Sequence, residues 1–293
     1  MANEGTVDPR VLELYNDYAH GGMNRRDLIK RVAVITGMAS AASVIAGIMP
    51  NYARAQTISF TDSRIRPRYV EYDAPQGSGT VRGYLVEPAE GEGPWPVVLV
   101  IHENRGLNPY IEDVARRAAV QGFLALAPDG LSPVGGYPGN DDDGRRLQAE
   151  LDRDKLDQDM VAGARYLKSH ERSSGKLGAM GFCWGGGMTK RLAVTLGKDL
   201  QAGVPFYGPA VPAEDVARIR AALMIQYAEN DPRINAMWPD FEAALKAYDV
   251  NYVMHEYPGT MHGFHNNSTP RYDEAAAKLA EERTWTFFRE HLT

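Results

Sequence analysis

Apolar residues occur along the chain in short unbroken runs separated by longer, mixed stretches. Runs without alternation suit strands that are covered on both faces. They lie at residues 97–102, 123–127, 177–182, 203–207, 222–227 and 251–257, with further candidates at 69–72 and 81–87. The mixed stretches predict helices at residues 109–121, 147–168, 188–196, 235–248 and 273–291. Alternating strands and helices predict an α/β fold with a mostly parallel sheet and helices on both faces. The polar run 140–144 is expected to be a solvated loop, with a cation-binding loop as the alternative.

The first 55 residues follow a different pattern. Arg25 and Arg26 precede a weakly hydrophobic, uncharged stretch at 32–53, and Ala53-Arg54-Ala55 has a small-x-small cleavage pattern. This order predicts a twin-arginine export signal cleaved after Ala55. The alternative is an uncleaved membrane anchor, although a span needs about 20 strongly apolar residues.

The chain is therefore expected to have two parts. Residues 1–55 would be a lead and signal segment, and residues 56–293 a single domain. The protein would be periplasmic or otherwise exported, in transient contact with the export machinery. The polar residues 1–23 have no role in this scheme.

Composition narrows the class of protein. Apolar residues make up 44% of the chain and charged residues 24%, the balance of an ordinary globular protein with a large core. The formal net charge of −6 argues against nucleic acid as a partner. The single cysteine cannot form an intramolecular disulfide, so its thiol is buried, reactive or paired with another chain.

That cysteine lies in Gly181-Phe182-Cys183-Trp184-Gly185, between a predicted strand and a predicted helix. Gly-x-Cys-x-Gly at such a junction has the form of a nucleophile elbow with cysteine in the serine position. Glycine avoids a Cβ clash in the turn, and the helix N-terminus favours a thiolate. The backbone N–H of Trp184 would stabilise an oxyanion. The alternatives are a buried structural cysteine and a redox sensor, for which the chain lacks a resolving cysteine.

A nucleophile of this kind needs an orienting acid and a histidine, which follow it along the chain in that order. Asp231 and His262 each come directly after a predicted strand, and α/β sheets hold their sites at the carboxyl ends of strands. The rivals are Asp129, which precedes the cysteine, and the histidines His255 and His265. The spacing of the three histidines fits no common zinc pattern, so no metal is expected.

The run His102-Glu103-Asn104-Arg105-Gly106 follows the first long strand. A hydrolase of this architecture supplies its second oxyanion N–H there, and we assign that N–H to Asn104. Glu103 would hold the thiol proton at rest and release the thiolate when substrate arrives; the alternative is a salt bridge with Arg105. The candidates for contacting substrate are Arg105, Arg145, Arg146 and Tyr207.

Four motifs occur in order from about residue 68 to the C-terminus: H-E-N-R-G at 102–106, G-F-C-W-G-G at 181–186, A-E-N-D-P at 228–232 and G-T-M-H-G-F at 259–264. In sequence and spacing they resemble the dienelactone hydrolase family, the carboxymethylenebutenolidases. The resemblance implies an α/β-hydrolase fold, a triad of Cys183, Asp231 and His262, and Glu103 as the partner of the resting thiol. The chain departs from the family where arginines hold the substrate carboxylate, since residues 265–268 read H-N-N-S.

We expect a hydrolase that cleaves carboxylic esters or lactones through a thioester on Cys183, without a metal or organic cofactor. The missing arginine argues against dienelactone as the substrate, as does export, and Trp184 favours an apolar or aromatic acyl group. On the same site the alternatives are a broad carboxylesterase or thioesterase and a promiscuous phosphotriesterase. From a different class, the alternative is a non-catalytic exported binding protein.

Overall fold

A computed structural model describes residues 7–293, and within that range the strands form a single sheet. Each of the predicted strands is present. In chain order the strands are β1 Ile65–Ala74, β2 Gly79–Pro88, β3 Trp95–Ile101, β4 Leu124–Pro128, β5 Ser173–Phe182, β6 Ala202–Phe206, β7 Ala222–Asn230 and β8 Tyr252–Met261.

The sheet is mostly parallel. Its strand order is β1-β2-β4-β3-β5-β6-β7-β8. The six strands β4, β3, β5, β6, β7 and β8 pair in parallel with their neighbours. At one edge, β1 pairs antiparallel with β2, and β2 pairs antiparallel with β4. Parallel neighbours need a crossover connection, which is usually a helix. The predicted α/β fold is therefore confirmed, and it is an α/β-hydrolase fold.

Helices cover both faces of this sheet, and others precede it. In chain order the helices are α1 Pro9–Ala19, α2 Arg25–Thr36, α3 Met38–Ile48, α4 Tyr52–Ala55, α5 Pro109–Val120, α6 Asp141–Glu150, α7 Arg153–Lys168, α8 Trp184–Leu196, α9 Pro232–Asn235, α10 Trp238–Ala247 and α11 Glu274–Leu292.

Strand β3 shows why the central strands appear as unbroken apolar runs. Val97, Leu99 and Ile101 belong to the apolar cluster on one face, and Val98 and Val100 to the cluster on the other. None of these side chains is exposed. Because successive residues of a strand point to opposite faces, a strand with helices on both sides needs apolar residues at every position.

Two predictions about residues 140–168 are wrong. The run 140–144 is not a loop but the start of α6, because the side chain of Asn140 accepts a hydrogen bond from the Asp143 amide over 2.9 Å. Its acidic residues then lie in the first turn, where the helix dipole favours them. The helix predicted at 147–168 is two helices, since the backbone is extended at Leu151 and Asp152 caps α7.

The chain before the sheet is folded as helices. Helices α1 to α3 share a small apolar cluster in which Val11, Leu28 and Val32 are fully buried. Arg25 and Arg26 begin α2 and are exposed. None of the helices between residues 7 and 293 is long and apolar enough to cross a membrane.

These N-terminal helices are attached to the rest of the protein by polar contacts. The Tyr18 hydroxyl donates to Asp142, and Arg271 donates to the side-chain oxygen of Asn16 over 2.9 Å. Ala55, the residue before the predicted cleavage point, is 3% exposed. Cleavage there requires this segment to separate from the domain first.

Candidate active site

Cys183 lies between β5 and α8 in a strained backbone conformation. Its φ is 56° and its ψ is −113°, outside the regions that residues with a Cβ normally occupy. Such strain costs of order 1–3 kcal/mol and is concentrated at functional sites. The flanking glycines are required, because a Cβ at Gly181 would lie 2.2 Å from the Gly185 oxygen and one at Gly185 would lie 2.4 Å from the Ile101 oxygen. The turn therefore has the predicted elbow geometry.

Asp231 and His262 meet beside this elbow. Asp231 follows β7, His262 follows β8, and the Nδ1 of His262 lies 2.5 Å from the Oδ2 of Asp231. Both side chains are buried. Because the carboxylate only accepts, Nδ1 carries the proton and Nε2 is left as the acceptor. Among the residues that the structure describes, His262 Nε2 has no hydrogen-bond partner.

The sulfur of Cys183 lies close to this imidazole. The sulfur, a ring nitrogen of His262 and a ring nitrogen of His20 are all within 4.8 Å of one another. Cys183 itself is partly buried. The structure thus brings the three predicted triad residues together, and it adds a histidine from the N-terminal helices.

Cys183 and His262 shift each other's pKa in the direction of a thiolate and an imidazolium. Burial raises the pKa of the Cys183 thiol, and the charge of Glu103 raises it too, but His262 outweighs both and the pKa lies below its ordinary value. Burial lowers the pKa of His262, whereas Cys183 and the hydrogen bond to Asp231 raise it, and the net shift is upward. Each group therefore stabilises the charged form of the other.

Glu103 is held at the end of β3 by two groups. Asn266 donates to its Oε2 over 2.9 Å, and the Nε of Arg105 lies 3.9 Å from the same oxygen. Arg105 is closer to Asp141, at 2.7 Å. Glu103 is therefore a buried carboxyl group near the sulfur, and Arg105 is shared between it and Asp141.

The two predicted oxyanion donors come from different elements: Asn104 follows β3, and Trp184 follows Cys183 directly. Trp184 is the first residue of α8, where backbone N–H groups have no acceptor within the helix. Its indole ring stacks on His102, with the ring centroids 5.2 Å apart. The side chain of Asn104 donates to the carbonyl oxygen of Ala19 over 3.4 Å. Both residues line a groove of about 890 Å³.

The remaining candidates for substrate contact are a buried tyrosine and two arginines of the same groove that already pair with carboxylates. Tyr207 is fully buried, with its ring centroid 4.8 Å from that of His262. Arg145 donates to Asp142 over 2.8 Å. Arg146 is largely exposed and donates to Glu150 over 3.1 Å. Of these three residues, only Tyr207 contacts the triad.

The rival histidines and aspartate have other roles. His265 is fully buried, and its Nδ1 lies 2.7 Å from the hydroxyl oxygen of Tyr110. His255 lies within β8 and is partly buried. Asp129 accepts from the amide of Leu131 over 3.0 Å. The geometry therefore favours His262 and Asp231.

Sequence reasoning missed His20 and Asn266. The ring of His20 meets that of His262 edge to face, with centroids 4.3 Å apart. No local motif marks His20, because it contacts a residue 242 positions later in the chain. Asn266 lies in the H-N-N-S run that interrupted the family pattern, and that departure was the available signal for its contact with Glu103.

Comparison with known proteins places the chain in a family. The model of the dienelactone hydrolase family matches residues 81–292, and a second model, described as YqhI-like, matches residues 3–35. A protein of Saccharolobus solfataricus named "Putative carboxymethylenebutenolidase" is 31% identical over 246 residues, covering 71% of this chain and 93% of that protein. The "Putative hydrolase fragment YghX" of Escherichia coli K12 is 63% identical over 105 residues, covering 36% of this chain and 90% of that protein.

The fold has solved counterparts. The dienelactone hydrolase-like promiscuous phosphotriesterase P91 from metagenomic libraries superposes with a TM-score of 0.68 at 24% identity, covering 78% of this chain and all of that one. The chain belongs to the dienelactone hydrolase family. It is a hydrolase that acts on the ester or lactone bonds of small molecules.

Proposed function

We propose that the protein cleaves its ester or lactone substrates through a thioester on Cys183. One observation carries the proposal: the sulfur is within 4.8 Å of a ring nitrogen of His262, and Asp231 orients that imidazole. A nucleophile, a base within reach and a third group that orients the base are the signature of covalent catalysis.

In the first half of the reaction the thiolate attacks the carbonyl carbon and forms a C–S bond. The carbonyl oxygen becomes an oxyanion that accepts hydrogen bonds from the amides of Asn104 and Trp184. One such donor contributes about 3–4 kcal/mol to lowering the barrier. His262 gives its proton to the leaving alkoxide, the C–O bond breaks and a thioester remains.

In the second half His262 removes a proton from water, which attacks the thioester carbonyl. The C–S bond breaks, the acid is released and the thiolate is restored. With a lactone, the alcohol stays attached to the acyl group, so water competes with reclosure of the ring. The scheme needs no organic cofactor.

Glu103 acts on the resting enzyme in this proposal. It accepts a hydrogen bond from the thiol while the site is empty; when substrate arrives, the thiol proton passes to Nε2 of His262 and the thiolate is released. Two observations support the role: its charge raises the pKa of Cys183, and the hydrogen bond from Asn266 occupies only Oε2, which leaves Oε1 to accept from the thiol.

We infer that none of the three candidate arginines holds a substrate carboxylate. Arg105 already pairs with Asp141, Arg145 with Asp142 and Arg146 with Glu150. A substrate carboxylate would have to displace a protein carboxylate from each of them. Trp184 in the groove favours an apolar or aromatic acyl group.

A substrate panel with nucleophile variants tests the proposal. The panel holds p-nitrophenyl esters of increasing chain length, acyl thioesters, five-membered lactones and a p-nitrophenyl phosphotriester. Cys183→Ala lowers kcat/KM for the best carboxylic substrate by at least about 10³-fold, because the nucleophile is lost, while far-UV circular dichroism stays unchanged. Undiminished ester cleavage by this variant contradicts the proposal. A higher kcat/KM for the phosphotriester than for the carboxylic substrates identifies a phosphotriesterase instead.

We also propose that the protein is exported through the twin-arginine route and cleaved after Ala55. The exposure of Arg25 and Arg26 supports recognition by the export machinery. Replacing both arginines by lysine is expected to retain the protein in the cytoplasm, as measured by cell fractionation with N-terminal sequencing of the mature chain. Unchanged export of this variant contradicts the proposal.

A further inference from the structure

We propose that, in the chain that still carries residues 1–55, Cys183, His262 and His20 form a binding site for a borderline-soft divalent cation such as Zn²⁺, and that its occupation blocks hydrolysis. One donor atom from each of the three side chains lies within 4.8 Å of the other two. Thiolate sulfur and imidazole nitrogen are the ligands that zinc prefers in proteins, and three protein ligands leave a fourth position open.

Each of the two imidazoles is oriented by a hydrogen bond from its Nδ1 to an oxygen outside the cluster, as in protein zinc sites. The Nδ1 of His262 lies 2.5 Å from the carboxylate of Asp231. The Nδ1 of His20 lies 2.7 Å from the carbonyl oxygen of Asn16. A ligating histidine almost always donates its other ring N–H to such a carboxylate or carbonyl, which fixes the tautomer. In both residues this leaves the lone pair on Nε2.

The Nε2 of His262 has no nitrogen or oxygen partner among the described residues. It is buried, with the residue 1% exposed. The group that acts on it is the Cys183 thiol, which raises the pKa of His262. A cation between the sulfur and the two rings takes the place of the proton between this pair.

His20 is presented by a fixed segment. The carbonyl oxygen of Tyr18 accepts from Arg145 over 2.9 Å, and that of Ala19 accepts from Asn104 over 3.4 Å. The two residues before His20 are therefore tied to the catalytic domain. Closing the site around zinc requires the donor atoms to approach one another by on the order of 1 Å, given Zn–S and Zn–N bonds of about 2.3 and 2.0 Å.

Occupation of the site excludes the reaction. The cation takes the lone pairs of the nucleophile and of the base, and Cys183 gives up its thiol proton to solvent when the metal–sulfur bond forms. The proposal is independent of the thioester mechanism, because the cation binds the same three atoms whether or not Cys183 becomes acylated.

The test is metal binding by the full-length, reduced protein, read out by spectroscopy rather than by activity. Cobalt(II) is titrated as the probe, and Zn²⁺ is then added to displace it. The expected result is one equivalent of bound Co²⁺, with a sulfur-to-metal charge-transfer band and visible absorption of a tetrahedral ion. Cys183→Ala removes the charge-transfer band.

His20→Ala is the discriminating variant and His255→Ala its matched control. Loss of an outer-shell partner alone costs about 10- to 100-fold in affinity, so loss of the ligand His20 is expected to weaken binding by at least about 100-fold. His255 is another partly buried histidine, outside the cluster, and its loss leaves the affinity unchanged. Circular dichroism checks that both variants are folded. If His20→Ala does not fold, His20→Asn takes its place.

The proposal is overturned if one equivalent of Co²⁺ gives no sulfur band, or if folded His20 variants bind as tightly as the unmodified protein. It is also overturned if His255→Ala weakens binding as much as His20→Ala does. A parallel assay with added Zn²⁺ is expected to show inhibition of ester cleavage that needs about 100-fold more zinc in His20→Ala, matching the affinities.

Discussion

At the scale of single residues, the site depends on how Cys183 and His262 are held. The positive φ of Cys183 lifts its side chain out of the turn, and the two flanking glycines allow the backbones to approach. Asp231 fixes which nitrogen of His262 carries the proton. The backbone strain and the buried carboxylate both cost stability, and they are offset by the packing of the sheet beneath them.

Replacing Asp231 by asparagine tests this orientation. The amide still fits, but it no longer stabilises an imidazolium and can favour the wrong tautomer of His262. We expect kcat/KM for ester cleavage to fall by about 10²- to 10⁴-fold, the usual contribution of general acid–base catalysis. Asp240→Asn, an exposed position on α10, serves as the control and keeps full activity. Equal activity of the two variants excludes a role for Asp231.

At the scale of elements, the parallel sheet gathers the site at one edge. Glu103, Cys183, Tyr207, Asp231 and His262 follow the carboxyl ends of β3, β5, β6, β7 and β8, in the order in which these strands lie side by side. Helix α8 is fixed behind them by Lys190, whose Nζ donates to the Gly208 oxygen over 2.8 Å and to the Tyr227 hydroxyl over 2.9 Å.

Lys190 predicts a pH dependence of stability. Burial lowers its pKa to about 7, whereas in the unfolded chain it is near 10.4. Between these values the unfolded state binds the extra proton, so rising pH favours the folded state, by up to about 1.4 kcal/mol per pH unit. In the folded state Tyr227 beside it does not titrate in this window, because burial raises its pKa above the ordinary value.

The measurement is urea denaturation of the unmodified protein and of Lys190→Met at several pH values from about 7 to 10. Groups that titrate in both proteins cancel in the difference between their free energies of unfolding. That difference is expected to shift in favour of the unmodified protein as the pH rises. A difference that stays constant with pH contradicts the account of Lys190.

At the scale of the whole molecule, helices α1 to α4 form a roof over one side of the site. Helices α1 to α3 share an apolar cluster of their own. Tyr52 of α4 packs against one of the two sheet clusters, whose buried members all come from residue 65 onward. The roof brings His20 against His262 and borders the groove next to Trp184. We therefore expect the sheet and its helices to fold without the roof.

A chain that begins at Gln56 tests this division. We expect it to fold with a cooperative thermal transition. Its circular dichroism spectrum should differ from that of the full chain only by the signal of the removed helices. Without His20 above the site, Cys183 is expected to react several-fold faster with iodoacetamide, measured by mass spectrometry under identical conditions. Loss of the cooperative transition, or an alkylation rate equal to that of the full chain, shows that the roof does not act as described.

The sequence predicted those features whose signals are local. The unbroken apolar runs gave β3 to β8, and Gly181 and Gly185 gave the elbow. It failed at 140–144, where an acidic run typical of loops is capped by Asn140 and becomes helical. It also missed the contact of His20 with His262, because packing between distant segments leaves no periodic or motif signal.

The central claim is that the acyl group passes through the Cys183 sulfur. The most direct measurement is intact-protein and peptide mass spectrometry after acid quench of the enzyme during ester turnover. The account predicts a mass increase equal to one acyl group in place of one hydrogen, located on the peptide that contains Cys183, and absent from Cys183→Ala. Turnover with the acyl group on another residue, or undiminished turnover by Cys183→Ala, contradicts it.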